Sequence, residues 1–135
     1  MIDAKDYING KVDKKLLKHI IKPSHESPFT YCRLAITPQQ INEALIMISL
    51  LYELGYKVIV NVMRVSLLTD REIKEFCNKL SIDKVHVLYF ADSFGSLLPQ
   101  RVKQIVEIFK RTGKAIGIHT HDNLGLIRYK LMTVE

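Results

Sequence analysis

From residue 30 onward, apolar positions fall into two alternating kinds of stretch. Short and nearly continuous runs, Tyr31 to Ile36, Lys57 to Met63, Val85 to Phe90 and Ala115 to Ile118, recur about every 28 residues. Each is followed by a polar loop and a segment of helical periodicity. Runs without strict alternation, such as Val58-Ile59-Val60, suit parallel strands covered on both faces. The spacing predicts repeated βα units. The intervening helices have their own punctuation. Thr37-Pro38-Gln39-Gln40 offers a capping threonine, a proline at the first helical position and a glutamine that closes a capping box. Behind it runs a stripe of Ile41, Ala44, Leu45, Ile48 and Tyr52, and Gly55 is placed to end that helix with a left-handed residue. Thr69-Asp70-Arg71-Glu72 opens the next helix by the same logic, with a stripe of Ile73, Phe76, Cys77 and Leu80. A third begins at Pro99, runs through Val102, Ile105, Val106 and Phe109, and stops at Gly113 behind two basic residues. Asp13 to Ile21 reads as one more helix, and Pro23, Pro28 and the serines between them as a loop.

Consecutive βα units build either an open doubly wound sheet or a closed (β/α)8 barrel, and both place chemistry at the C-terminal ends of the strands. No Gly-rich phosphate loop follows any of the four runs, which weighs against a dinucleotide-binding sheet. A closed barrel needs well over ~200 residues, and the 135 present hold about half of that. The expectation is an α/β chain forming a partial (β/α)8 TIM barrel, about four consecutive βα units on a parallel sheet. It would be one incomplete domain over residues 1–135, with 1–30 outside the regular repeat.

Composition narrows the partners. The chain carries 20 Lys+Arg against 14 Asp+Glu, a formal charge of +6, and 47% of its residues are hydrophobic. The basic residues are scattered. Their densest cluster, Lys14, Lys15, Lys18 and Lys22, alternates with Leu16, Leu17, Ile20 and Ile21, the pattern of a solvated helix face backed by a core face. That argues for no nucleic-acid partner. No apolar run approaches the ~20 residues of a membrane helix, so no membrane partner is expected. Two lone cysteines, Cys32 and Cys77, make no disulfide framework, and Met1 to Asp6 lacks the basic-then-apolar order of a secretory signal. A cytoplasmic setting is expected.

Strand ends point to four stretches, Arg33 to Thr37, Asn61 to Ser66, Asp92-Ser93-Phe94-Gly95 and His119-Thr120-His121-Asp122-Asn123. In an extended segment residues i and i+2 project to the same side, so His119 and His121 would present two imidazoles together. Such a pair holds a divalent metal when carboxylate or water completes the shell. The plainer alternative is two histidines hydrogen-bonded within a loop.

Tyr89-Phe90-Ala91-Asp92-Ser93-Phe94-Gly95, then Pro99, then Gly117-Ile118-His119-Thr120-His121-Asp122-Asn123-Leu124-Gly125-Leu126, resembles the metal-dependent pyruvate aldolase and carboxyltransferase barrels. This is the family of hydroxymethylglutaryl-CoA lyase, and the resemblance is strongest to its 4-hydroxy-2-oxovalerate aldolase branch. It covers residues 31 to 126; Arg33-Leu34-Ala35 and Asn61-Val62-Met63 look like that branch's third and fourth strand ends. The resemblance implies a lyase that cleaves 4-hydroxy-2-oxo acids to pyruvate and an aldehyde through a metal-stabilised enolate, with Mn or Mg as cofactor. His119 and His121 match the metal ligands, and Ser93 matches a residue that contacts the pyruvate moiety. Asp92 and Asn123 match motif positions; Asp92 and Arg33 join Ser93 as substrate-side candidates. Against these stand local alternatives: a turn cap for Asp92 and Ser93, an ion pair inside the barrel for Arg33, and core or rim packing for Tyr31, Tyr56 and Tyr89.

The family's first strand supplies an Arg-Asp pair, the aspartate ligating the metal and the arginine steadying the enolate, and this sequence has no such segment. If Met1-Ile2-Asp3 is the tail of the second strand, strands one, seven and eight are absent, and neither Asp3 nor Asp6 replaces the missing ligand. With two neutral imidazoles, metal binding by the chain alone is expected to be weak and to fade at low pH. The alternative is a non-catalytic or truncated half barrel, stable only by association with itself or with a complementary fragment that covers its open edges and inner face. An amidohydrolase-type barrel also uses an H-x-H, but on its first strand with further ligands following; here the motif comes last.

Overall fold

The computed structural model describes residues 1–8, 11–80 and 82–133. The apolar runs form strands β2 (Tyr31–Ile36), β3 (Lys57–Val62), β4 (Val85–Asp92) and β5 (Ala115–Thr120), preceded by a two-residue strand β1 (Ile2–Asp3). Helices α1 (Lys14–Ile20), α2 (Ile41–Glu53), α3 (Asp70–Lys79), α4 (Pro99–Lys110) and α5 (Ile127–Met132) follow the strands in turn. Every pairing is parallel, and the sheet order β1-β2-β3-β4-β5 is the chain order. A doubly wound sheet reverses its order at a switch point. This one does not, and it forms part of a barrel wall, with β1 pairing where the sequence allowed the tail of an earlier strand.

The helix starts follow their capping residues. The Thr69 N–H donates to Glu72 Oε2 at 2.8 Å, and the Glu72 N–H donates to Thr69 Oγ1 at 3.3 Å. Thr37 donates its N–H to Gln40 Oε1 at 2.9 Å ahead of a short 3-10 turn that leads into α2. The stripes differ in detail. In α2, Met47, Leu50 and Leu51 are buried while Tyr52 is half exposed, so the packed face is rotated from the expected one. The lysine-rich α1 buries Leu17 but leaves Leu16 and Ile20 exposed, so only part of its expected apolar face is covered.

Sheet register sorts the side chains into two faces. Leu34, Val60, Leu88 and Ile116 form one row, and Ile36, Val62, Phe90 and Ile118 the next. These rows belong to the core together with Ala44, Met47, Ile48, Ile73, Phe76, Val102, Ile105 and Phe109 of the helices. Phe90 and Phe109 meet edge to face at 5.5 Å. Each such buried side chain stabilises the fold by about 1.5–3 kcal/mol. The opposite face carries Arg33, Ile59, Val87 and Ala115 in one row, Ala35, Asn61, Tyr89 and Gly117 in the next, and Ala91 and His119 at the top. In a closed barrel this is the inner face.

Candidate functional site

Strands β4 and β5 each run two residues beyond their apolar runs, because Ala91 still pairs with His119 and Asp92 with Thr120. That extension places His119 on β5 at the C-terminal rim, with His121 just past the strand end, and both side chains exposed. Their rings stand edge to face with centroids 5.2 Å apart. The two imidazoles thus stand side by side at the rim, and their nitrogens are of the donor type that would hold a divalent ion. His119 is held below the usual histidine range by burial first, and then by the Arg33 guanidinium and the neighbouring His121. Its neutral, ligating form is correspondingly favoured. Among the described residues no cluster of three His, Cys, Asp or Glu side chains forms. Asp3 is turned to its own neighbourhood, accepting from the Lys5 N–H at 3.2 Å and pairing with Lys5 Nζ at 3.3 Å.

Ser93 stands half-buried at the end of β4. Its Oγ accepts the Arg64 N–H at 2.9 Å, so the hydroxyl keeps its own proton for donation. Arg64, just past β3, has φ of 57°, a left-handed conformation unusual for a side-chain-bearing residue. Asp92 is fully buried. Its Oδ1 accepts from the N–H groups of Ser96 at 3.0 Å and Leu97 at 3.2 Å, and its Oδ2 lies 2.6 Å from Lys130 Nζ. The carboxylate thus caps the following turn from below the rim. Arg33 rises from the lower row of the inner face. The ion pair expected of it is not formed among the described residues; its guanidinium instead lies 5.0 Å from the centre of the Tyr89 ring, and its buried Nε has no partner. Desolvation is eased by the ring's negative face, which attracts a cation without a carboxylate. Tyr89 lies flat over Gly117, where an added Cβ would fall 2.3 Å from the ring's Cζ.

The structure therefore gathers His119 and His121 at one rim, with Ser93 at the end of the neighbouring strand, and sends Arg33 toward them from beneath. Sequence reasoning missed Lys130. A lysine in a short C-terminal helix looks like any of the other basic residues, and no pattern marks it as buried.

No protein-family model matches the chain. Over 75 residues it is 31% identical to a 4-hydroxy-2-oxovalerate aldolase from Geobacillus genomosp. 3, a match spanning 55% of this chain and 22% of that protein. Among solved structures, the N-terminal domain of a protein assigned as an aldolase from Bacteroides vulgatus superposes with a TM-score of 0.72 at 24% identity, covering 98% of this chain and 43% of that one. The carboxyl transferase domain of Rhizobium etli pyruvate carboxylase superposes with a TM-score of 0.70 at 13% identity, covering 82% and 20%. The chain thus spans less than half the length of each of these relatives. No helix among the described residues is long and apolar enough to cross a membrane.

Proposed function

For a chain whose sequence and fold support a place among the pyruvate aldolase and carboxyltransferase TIM barrels, we propose that it carries the two-histidine portion of a divalent-metal-dependent aldolase. The reaction is cleavage of a 4-hydroxy-2-oxo acid to pyruvate and an aldehyde. The observation that carries this reading is the proximity of the His119 and His121 rings, 5.2 Å apart at the C-terminal rim of a parallel wall. These two side chains would hold Mn or Mg, with water or groups from the rest of a barrel completing the shell. When bound, such an ion supplies Lewis-acid polarisation of the 2-oxo acid. The chain's own residues do the rest of what is assigned here. The Ser93 hydroxyl, which accepts the Arg64 N–H and keeps its own proton, would donate to an oxygen of the pyruvate moiety. The Arg33 cation draws an anionic acid toward the site and disfavours protonation of His119. Cleavage breaks the C3–C4 bond: the 4-hydroxyl proton passes to water as the aldehyde carbonyl forms at C4, the bonding pair moves toward the C2 carbonyl oxygen, and a proton from water later returns to C3. A cytoplasmic setting is supported by the free thiols of Cys32 and Cys77.

Calorimetric titration with Mn, together with a pyruvate-release assay on a 4-hydroxy-2-oxo acid, tests the proposal. The wild-type chain is expected to bind Mn weakly, and a His119→Ala/His121→Ala variant to lose that binding and any pyruvate release. Unchanged binding and release in the variant reject the site.

A further inference from the structure

Lys130 is fully buried in α5, nine residues beyond His121. Its Nζ donates to Asp92 Oδ2 at 2.6 Å, to the His121 carbonyl at 3.2 Å and to the Gly95 carbonyl at 3.3 Å, so its three protons meet three acceptors. A buried ion pair gives little net stability over an apolar pair of the same volume. Stability alone therefore does not account for placing one here. The acceptors belong to the end of β4, the turn after it and the segment just past β5, the pieces that carry Ser93 and His121. We propose that Lys130 is a positioning residue for the two-histidine site: by clamping the His121 carbonyl to the β4 end it sets the aim of the His121 ring beside His119 and its distance from Ser93. The proposal rests on the reading that those two imidazoles hold a divalent ion. A second tie joins the same turns, Asn123 Nδ2 donating to the Phe94 carbonyl at 3.0 Å. Loss of Lys130 therefore loosens His121 without detaching the turn that follows it. Supports behind metal ligands typically change affinity by about 10–100-fold.

The test is calorimetric titration of the full chain with Mn, comparing wild type, Lys130→Met and the double variant Asp92→Leu/Lys130→Met, with thermal midpoints measured alongside. The double variant leaves no buried charge without its partner, although the Ser96 and Leu97 N–H groups lose their acceptor and its thermal midpoint is expected to fall; while folded, it is expected to bind Mn about 10–100-fold more weakly than wild type. A folded double variant that binds Mn as wild type does overturns the positioning role and leaves the metal site standing. Absence of Mn binding by wild type overturns the metal reading and this inference with it. If neither variant folds, NMR of the wild-type chain decides. Zn addition is expected to shift the Lys130 side-chain signals in step with the His121 ring, and Lys130 signals that stay fixed while the ring moves overturn the proposal.

Discussion

At His119, partial burial, the Arg33 guanidinium and the His121 ring all disfavour the protonated form. A histidine whose folded value lies below its unfolded one is bound by more protons in the unfolded chain. It therefore favours the fold above the unfolded value and opposes it as pH falls below. The side chain is exposed, so the effect on stability is small; the effect on ligation is larger, because the neutral ring persists to lower pH. In an NMR titration of the ring protons, His119 is expected to titrate below an ordinary histidine, and Arg33→Met to move its midpoint upward. A midpoint that does not respond to Arg33→Met would contradict the placement of the guanidinium. The nearness of the two histidines was legible in the sequence from period-two projection, although β5 ends at Thr120 and His121 only continues its line. The fate of Arg33 was not, since a cation settles on an aromatic face or a carboxylate according to which neighbour the register brings close.

Among the elements, β5 depends on an absence of side chain. Gly117 lies beside Tyr89 in the inner-face row, and the ring occupies the space a Cβ would need. Gly117→Ala forces the ring aside, and overpacking of this kind costs about 1–3 kcal/mol. The expected result is a lower denaturation midpoint together with loss of the Arg33–Tyr89 contact; a midpoint equal to wild type would show that the ring is free to move. The starts of α2 and α3 were read well, because caps such as Thr69 with Glu72 act locally, whereas α5 was not read at all. The ends of β4 and β5 were read short. Apolar runs stop at Phe90 and Ile118, but backbone pairing continues through Asp92 and Thr120, and hydropathy does not report a hydrogen bond. The rotated face of α2 has a similar origin: both Tyr52 and Leu51 are apolar enough to pack, and only the position of the sheet chooses between them.

At the scale of the whole molecule, the wall carries on its inner face two buried polar atoms without a partner among the described residues, Arg33 Nε and Asn61 Oδ1, the latter on a residue only 4% exposed. Strands β1 and β5 each pair on one side only among the described residues, and unpaired strand edges favour association, so further strands, from a second copy or a complementary barrel fragment, are proposed to extend the wall. Sedimentation velocity over a wide concentration range is expected to reveal association, and a single monomeric species throughout would count against it. Among the described residues, each strand hydrogen-bonds solely to the strands before and after it in the chain. Nothing in such a ladder has to be unzipped when another unit is laid down beside it. New βα modules grafted in reading order next to β5 should therefore accrete onto the existing wall, making this architecture a natural host for stepwise rebuilding of a full barrel.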